Sequence, residues 1–240
     1  MQLRLPTSIP EVQECLADGA VPIGGATLVW ATWQRDGFPE LAVSLRELPE
    51  ANAYGPQELG AAVMLHRIDD RVPEVLHRAA SGIGTGAVRR AATVGGNLVG
   101  STLRCLLPAA VVLEARAVVL EPEGLFETDL SDLLAKRQLL VGLRWRTPII
   151  SGYRKLEEEA GGPPPFVVAS AVHTDDGGGN RLRVAVRDGY EVLSGSVACA
   201  DDSTDVPDAL RSTDLGALDP TDWETVRRHV TELLSRPVGG

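Results

Sequence analysis

The stretch GIGTGAVRRAATVGGNLVGS, Gly82 to Ser101, places five glycines in its first fifteen residues and opens on a G-x-G-x-x-A string at Gly82, Gly84 and Ala87. A dinucleotide-binding turn of that form needs a strand before it and a helix after it, so that the diphosphate rests on the helix N-terminus. Here the preceding DRVPEVLHRAA (70–80) has helical character, and the following VRRAATVGGN reaches another glycine pair before a helix can develop. The reading is therefore a helix C-terminus followed by a turn.

Two glycine pairs have a different setting: PIGGATL (22–28) and ATVGGN (92–97). In each, a short apolar run passes into Gly-Gly and then into small or polar residues. Consecutive glycines let several backbone N–H groups converge on an anion, and the missing Cβ admits a diphosphate close to the main chain. Thr27, Thr93 and Asn97 would add side-chain donors. An ordinary turn is the bland alternative for either pair alone. Two such pairs, each leaving a strand-like run, are a stronger signal.

Bulk properties narrow the function. The 240 residues carry a formal net charge of -10 with 44% hydrophobic and 23% charged residues, which suits a globular chain with a substantial core. The acidic balance argues against general nucleic-acid binding, which needs a basic face to displace counterions. The three cysteines, Cys15, Cys105 and Cys199, are far apart and lack the spacing of a zinc or iron–sulfur site, and they suit a reducing compartment. The N-terminal residues contain no apolar run of signal-peptide length, and no segment is long and apolar enough to span a bilayer. The expectation is a cytoplasmic protein with no bound metal, no membrane and no nucleic acid. Only two of the 23 basic residues are lysines, Lys136 and Lys155.

Local patterns outline the elements. SIPEVQECLADG (8–19) reads as a helix capped by Ser8 and stopped by Gly19. TLRCLLPAAVVLEA predicts a buried helix running to about Ala115, delayed or bent by Pro108, and ARAVVLEP a strand. SDLLAK is a short helix and LLVGLRWRTP a strand closed by Pro148. GGPPP (161–165) is a rigid loop, and FVVASAVHT and RLRVAVRDG are strands around the turn DDGGGN. TDWETVRRHVTELLSR predicts an amphipathic helix with a Thr221/Glu224 capping box and a stripe of Trp223, Val226, Val230 and Leu233 or Leu234. Residues 200–220, rich in Asp, Ser and Pro, read as the softest segment. By propensity QELGAAVMLHRI is helical.

Taken in order, these features resemble the FAD-binding subunit or domain of molybdenum hydroxylases such as xanthine dehydrogenase and carbon monoxide dehydrogenase. The family's first loop, approximately A-G-G-T-D-L, is matched by Ile23-Gly24-Gly25-Ala26-Thr27-Leu28. Its I-R-N-x-A-T-x-G-G-N is matched by Val88 to Asn97, its D-L-P-P-A-L-L region by STLRCLLPAAVV, and its Y-x-K by Tyr153-Arg154-Lys155. The resemblance covers about residues 20 to 190.

It implies an α+β architecture in three parts: an N-terminal unit (1–49), a middle unit (50–147) and a C-terminal sheet-and-helix domain (148–240). It also replaces the propensity helix with a strand near Glu58–Val63 and a short helical turn. FAD would lie along Pro22, Ile23, Gly24, Gly25, Ala26, Thr27 and Leu28 on one side, and Ala92, Thr93, Gly95, Gly96, Asn97 and Cys105 on the other. Lys155 would reach the flavin or a phosphate. The activity implied is an FAD-dependent oxidoreductase moving electrons between a donor, either a small molecule or a partner iron–sulfur subunit, and an acceptor. Molybdopterin and 2Fe–2S subunits would be the partners.

There are departures. Ala26 and Thr27 stand for the family's Thr and Asp, Cys105 stands for its Asp, the segment after Asn97 is one residue short, and the C-terminal part reads as short. They suggest two alternatives. One is a stand-alone flavoenzyme acting on a small or carrier-bound biosynthetic intermediate. The other is a non-catalytic scaffold subunit with weak or no FAD binding. No catalytic side chain is assigned: His66, His77, His173 and His229 are scattered, and flavin carries its own reactivity.

Overall fold

The computed structural model describes residues 1–157, 162–199 and 206–237. In chain order, β1 (Gln2–Arg4), α1 (Ile9–Ala17), β2 (Val21–Pro22), α2 (Val29–Asp36) and β3 (Leu41–Val43) come first. Then follow β4 (Tyr54–Gly55), β5 (Glu58–Gly60), α3 (Glu74–Ser81), α4 (Gly86–Arg89) and α5 (Leu107–Val112). The hairpin β6 (Arg116–Glu121) and β7 (Gly124–Thr128) leads through α6 (Leu130–Lys136) to β8 (Leu139–Arg144). The last elements are β9 (Ile150–Lys155), β10 (Val167–Thr174), β11 (Asn180–Asp188), β12 (Glu191–Cys199), α7 (Val206–Arg211) and α8 (Pro220–Leu234). No described helix is long and apolar enough to cross a membrane.

The chain forms two compact units, each assembled from separated segments. One comprises Met1–Val72, Ile83–Leu106 and Ala115–Trp145; the other comprises Pro73–Gly82, Leu107–Glu114 and the chain from Arg146 on. The first unit holds two sheets. A small parallel one has the order β1-β3-β2, and a five-stranded one has the order β4-β5-β8-β6-β7. Parallel pairing of β1 and β2 with β3 demands crossovers, and α1 supplies the one between β1 and β2. Val12 on α1 packs with Leu45, Leu48, Ala51, Leu120 and Val141, while Cys15 packs with Ala20 and Val43. The strand expected near Glu58–Val63 is β5, followed by a 3-10 turn at Leu65–Arg67, so tertiary pairing with β8 overrides the helical propensity of that segment.

The second unit is built on the antiparallel sheet β12-β11-β10-β9. Seven of the eight residues of β10 are buried, so both faces of this strand are covered. Val168 and Val172 join Val226 and Val230 of α8 in one cluster, and Ser170 Oγ hydrogen-bonds His229 Nε2 of α8 at 2.8 Å. On the opposite face His173 Nε2 meets the Val112 carbonyl of α5 at 2.9 Å. A run of small and branched apolar residues, VVASAV, suits such a strand. Burial, helped by the Arg154 cation, pushes the His229 imidazole down to about 4.

Several sequence expectations are corrected. Asp219, not Thr221, caps α8, its carboxylate accepting from the amides of Thr221 (2.7 Å) and Asp222 (3.0 Å). Pro220 is the reason: it fits the first helical position and holds the residue before it extended. Leu233 lies on the buried stripe, whereas Leu234 is exposed. Ser8 is extended at the start of α1 without a side-chain cap bond; Glu11 instead accepts from the Thr7 amide. The helix expected to reach about Ala115 stops at Val112, with Glu114 in the left-handed region (φ 52°) where the chain turns into β6. Of the segment expected to be soft, 200–205 lies outside the described residues; the rest is α7 and a 3-10 turn with Val206, Leu210 and Leu215 buried. Gly161 of the GGPPP loop also lies outside the described residues. The chain after Gly24-Gly25 forms the helix α2, which has no buried residue and ends at Gly37 (φ 103°). Strand β12 had no clear signal in the sequence.

Candidate functional site: two glycine loops

The string at Gly82 is a helix end. Gly82 caps α3, and Thr85 begins α4 with its hydroxyl accepting from the Val88 amide. A short helix does form here, against expectation. It holds Arg89, whose Nη1 donates to the carbonyls of Ile83 (2.9 Å) and Gly84 (2.7 Å).

The other two pairs come together in the first unit. The first loop leaves β2, whose ladder extends one bond further as the Ile23 amide donates to Val43 O at 2.8 Å. Beyond that, the amides of Gly24, Gly25, Ala26, Thr27 and Leu28 find no acceptor among the described residues. The segment is half-buried to exposed, so these five consecutive donors are accessible. Ala26 has φ 57°, in the left-handed region, and its carbonyl accepts from the Trp30 amide at 3.0 Å, closing the first turn of α2. An alternation of left- and right-handed residues curls successive N–H groups to one side, the geometry of an anion nest.

The second loop is closed on itself. Val94 donates to Val63 O (3.0 Å), Gly95 to Ala61 O (2.9 Å), Gly96 to Thr93 Oγ1 (3.2 Å) and Asn97 to Thr93 O (2.9 Å). Thr93 also pairs with Met64 in an isolated bridge, and the Ala92 carbonyl accepts from Leu65. From Gly96 to Gly100 the backbone makes a wide π-type turn. Asn97, 7% exposed, turns its Oδ1 to the Leu106 amide at 2.9 Å and so fastens segment 101–106 to the loop.

The two loops touch. A Cβ on Gly25 would lie 1.6 Å from the Ala91 carbonyl oxygen, and one on Gly24 would lie 2.4 Å from Thr93 Oγ1. A Cβ on Gly95 would meet Ala61 Cβ at 3.1 Å. These three glycines therefore have a packing reason. Gly96 is less confined: the sole neighbour of its Cβ would be a side-chain atom, Thr93 Oγ1, at 3.1 Å.

The sequence-derived residues thus divide. Pro22–Leu28 and Ala92–Asn97 are brought together by the contacts just given, with Thr93 and Asn97 as braces whose oxygens are already accepting. Cys105 is half-buried, outside any disulfide, and next to the tethered Leu106. Lys155 belongs to the second unit, where its ammonium donates to the Gly82 carbonyl at 3.1 Å.

Two features escaped the sequence reading. One is the run of open amides. The other is electrostatic: residues 83–106 contain Arg89, Arg90 and Arg104 but no acid, and residues 19–35 contain no acid either, in a chain with 33 acids. Counting acids by segment would have found it. Both loops lie in acid-free stretches, which favours an anionic ligand. Two concavities on the five-stranded sheet, around Glu58, Val141 and Arg144 and around Gln57 and Trp145, contain none of the sequence-derived residues.

Comparison with known proteins agrees. Residues 1–141 match the FAD binding domain in molybdopterin dehydrogenase. No curated protein is a significant sequence match. Among solved structures, the chain is similar to a chain of a Cu,Mo-CO dehydrogenase in its cyanide-inactivated form (TM-score 0.76, 20% identity, 98% of both chains). It is also similar to CO dehydrogenase from Oligotropha carboxidovorans (0.72, 18%, 98% of both). A third is quinoline 2-oxidoreductase from Pseudomonas putida 86 (0.68, 18%, 98% of this chain and 96% of that one). The coverage corrects the expectation that the C-terminal part is short for the fold. The chain belongs to the family of FAD-binding domains of molybdopterin dehydrogenases, and is an FAD-binding oxidoreductase component.

Proposed function

We propose that the diphosphate of FAD is held by the amides of Gly24–Leu28, against a second wall formed by Thr93, Gly95, Gly96 and Asn97. The observation that carries this reading is the run of five accessible amides without an acceptor, inside an acid-free stretch. Such donors strengthen on meeting a phosphate oxygen, because charge-assisted hydrogen bonds are shorter and stronger than neutral ones. Gly96 adds a surface on which a Cβ would press only the Thr93 hydroxyl. The residues present therefore fit the cofactor. Ala26 and Thr27 contribute main chain, which explains how the loop functions without the acid and hydroxyl of the family pattern.

Bound FAD would supply one- and two-electron transfer. The chain's own part is to fix the cofactor and set the field around it. Among the described residues no group of His, Cys, Asp or Glu is placed to hold a metal ion, so metal-centred steps would fall to partner subunits carrying molybdopterin and 2Fe–2S clusters. Held by Gly24–Leu28 against Thr93–Asn97, FAD would supply the redox chemistry between such a partner and a small-molecule or carrier acceptor. The loss of acids at Thr27 and Cys105 favours, as a second reading, direct action on a small or carrier-bound substrate. We assign the division 1–49, 50–147 and 148–240, supported in its first two parts by the separate three- and five-stranded sheets. Three cysteines without a disulfide support a cytoplasmic setting.

The test is Gly96→Ala. The added methyl meets only the end of Thr93, so the fold should survive. The purified wild-type chain should carry FAD, and the variant should lose most of it while melting within a few degrees of the wild type. Full FAD occupancy in Gly96→Ala would remove Gly96 from the cradle.

A further inference from the structure

We infer that Arg104 is this chain's own side-chain cation for the FAD diphosphate. The inference rests on the cradle reading above and adds a charged ligand to it that the family pattern did not supply.

Three described arginines have a buried Nε without a hydrogen-bond partner: Arg104, Arg183 and Arg187. The other two are satisfied through another nitrogen. Arg183 pairs with Glu114, and Arg187 donates to the Pro165 carbonyl at 3.0 Å. Arg104 has neither a hydrogen bond nor an ion pair with any described residue. Arg104 as a whole is half-buried, and of its guanidinium nitrogens only Nε is closed off without an acceptor; such a donor is costly, and native structures rarely keep one without a reason.

Its backbone is also unusual. Arg104 has φ 41°, in the left-handed region that a non-glycine residue avoids. The chain on either side holds it there. The Leu103 amide donates to Ser101 Oγ at 3.2 Å, and the fully buried Leu106 donates its amide to Asn97 Oδ1 at 2.9 Å. Asn97 is the last residue of the second glycine loop, so the bond that fixes Arg104 in its strained turn also fixes that turn to the cradle. Strain over-determined by neighbouring contacts is a mark of functional positions.

Segment 101–106 contains no carboxylate, and Cys105 occupies the position that the family gives an acid. No internal anion therefore competes for the guanidinium. A diphosphate matches it: two charged groups with oxygens spaced for the planar fork of Arg, which a single lysine point charge would serve less well. Arg104 supplies charge where the first loop supplies only neutral amides.

The experiment titrates FAD into apo wild type, Arg104→Met, Arg104→Gly and Arg104→Lys, following flavin fluorescence at low and at high salt, with melting curves of each apo protein. Arg104→Met should weaken FAD about tenfold or more and flatten the salt dependence, because a screened charge pair has gone. Arg104→Lys should fall between. Apo Arg104→Met should melt no lower than the wild type, since a buried Nε without an acceptor has been removed, and apo Arg104→Gly should gain from relief of the left-handed φ. A residue that merely holds the loop together would give the opposite melting result. Unchanged FAD affinity and salt dependence in Arg104→Met, with wild type binding FAD, would overturn the Arg104 assignment and leave the cradle standing. Failure of the wild type itself to bind FAD would sink the cradle reading and Arg104 with it.

Discussion

The two glycine loops share a β-branched residue followed by Gly-Gly and have opposite hydrogen-bond states. Gly24–Leu28 leaves five amides open at an accessible surface. Val94–Asn97 pairs every amide, on residues that are half-buried to buried. The difference follows from solvent. An exposed N–H is satisfied by water and can exchange that water for a phosphate at little cost, whereas a buried one must find a protein acceptor or be heavily penalised. The first loop is thus equipped to bind and the second to brace. Gly24 and Gly25 are needed chiefly because the second loop lies against them.

The largest break in this comparison should come from Gly25→Ala. Its Cβ would overlap the Ala91 carbonyl, a backbone atom that cannot swing away. We expect a loss of about 3 kcal/mol or more and no retained flavin, measured by denaturant unfolding and absorption. Wild-type stability in this variant would mean that the loops do not meet as described.

Asn97→Leu should come next. It strands the buried Leu106 amide, at about 1–3 kcal/mol, and frees segment 101–106, whereas Asn97→Asp keeps the acceptor and should unfold closer to the wild type. Equal losses in the two variants would show that the brace is not the Oδ1 bond. Ala26→Gly should move the other way, gaining up to about 1 kcal/mol by relieving a left-handed φ, with FAD affinity held within a factor of about three, because the binding groups of this loop are main chain.

The smallest effect serves as a control remote in sequence from both loops. The His229 imidazole is held at about 4 against an ordinary 6.5, so the unfolded chain takes up its proton first as pH falls. Its contribution to stability is present above about pH 6.5 and is lost between there and about pH 4. Asp222, raised to about 6 by burial and by the neighbouring Asp219, acts in the opposite sense, gaining stability as pH falls through that value. His229→Gln should therefore flatten the acid limb of the stability profile, leaving the Asp222 component in place. A wild-type and His229→Gln pair with parallel profiles from pH 7 to 4 would contradict the buried neutral histidine.

How much of this was legible in the sequence depends on how local the signal is. The hairpin β10–β11, with its DDGGGN turn, and the amphipathic α8 were readable because alternation, helical spacing and turn residues act within a few positions of one another. Of the very short strands, β2 showed only as the apolar run before Gly24 and β5 only through the family resemblance, while β1, β3 and β4 did not show, because two or three residues carry no period; their pairing is decided by distant partners. The end of α5, the α8 cap at Asp219 and the order at Val206–Ala217 were misread because each depends on what the neighbouring segment does.

By itself, the sequence determined the family, the cofactor and the two glycine pairs that face each other, since these rest on residue identity and order. Only the tertiary structure decided which pair is open and which is closed, why Gly25 admits no side chain, and that Arg104 lacks a partner among the described residues. Hydrogen-bond satisfaction is settled by acceptors that arrive from elsewhere in the chain. Ala61, Val63 and Asn97 close one set of donors, and nothing in the first unit arrives to close the other.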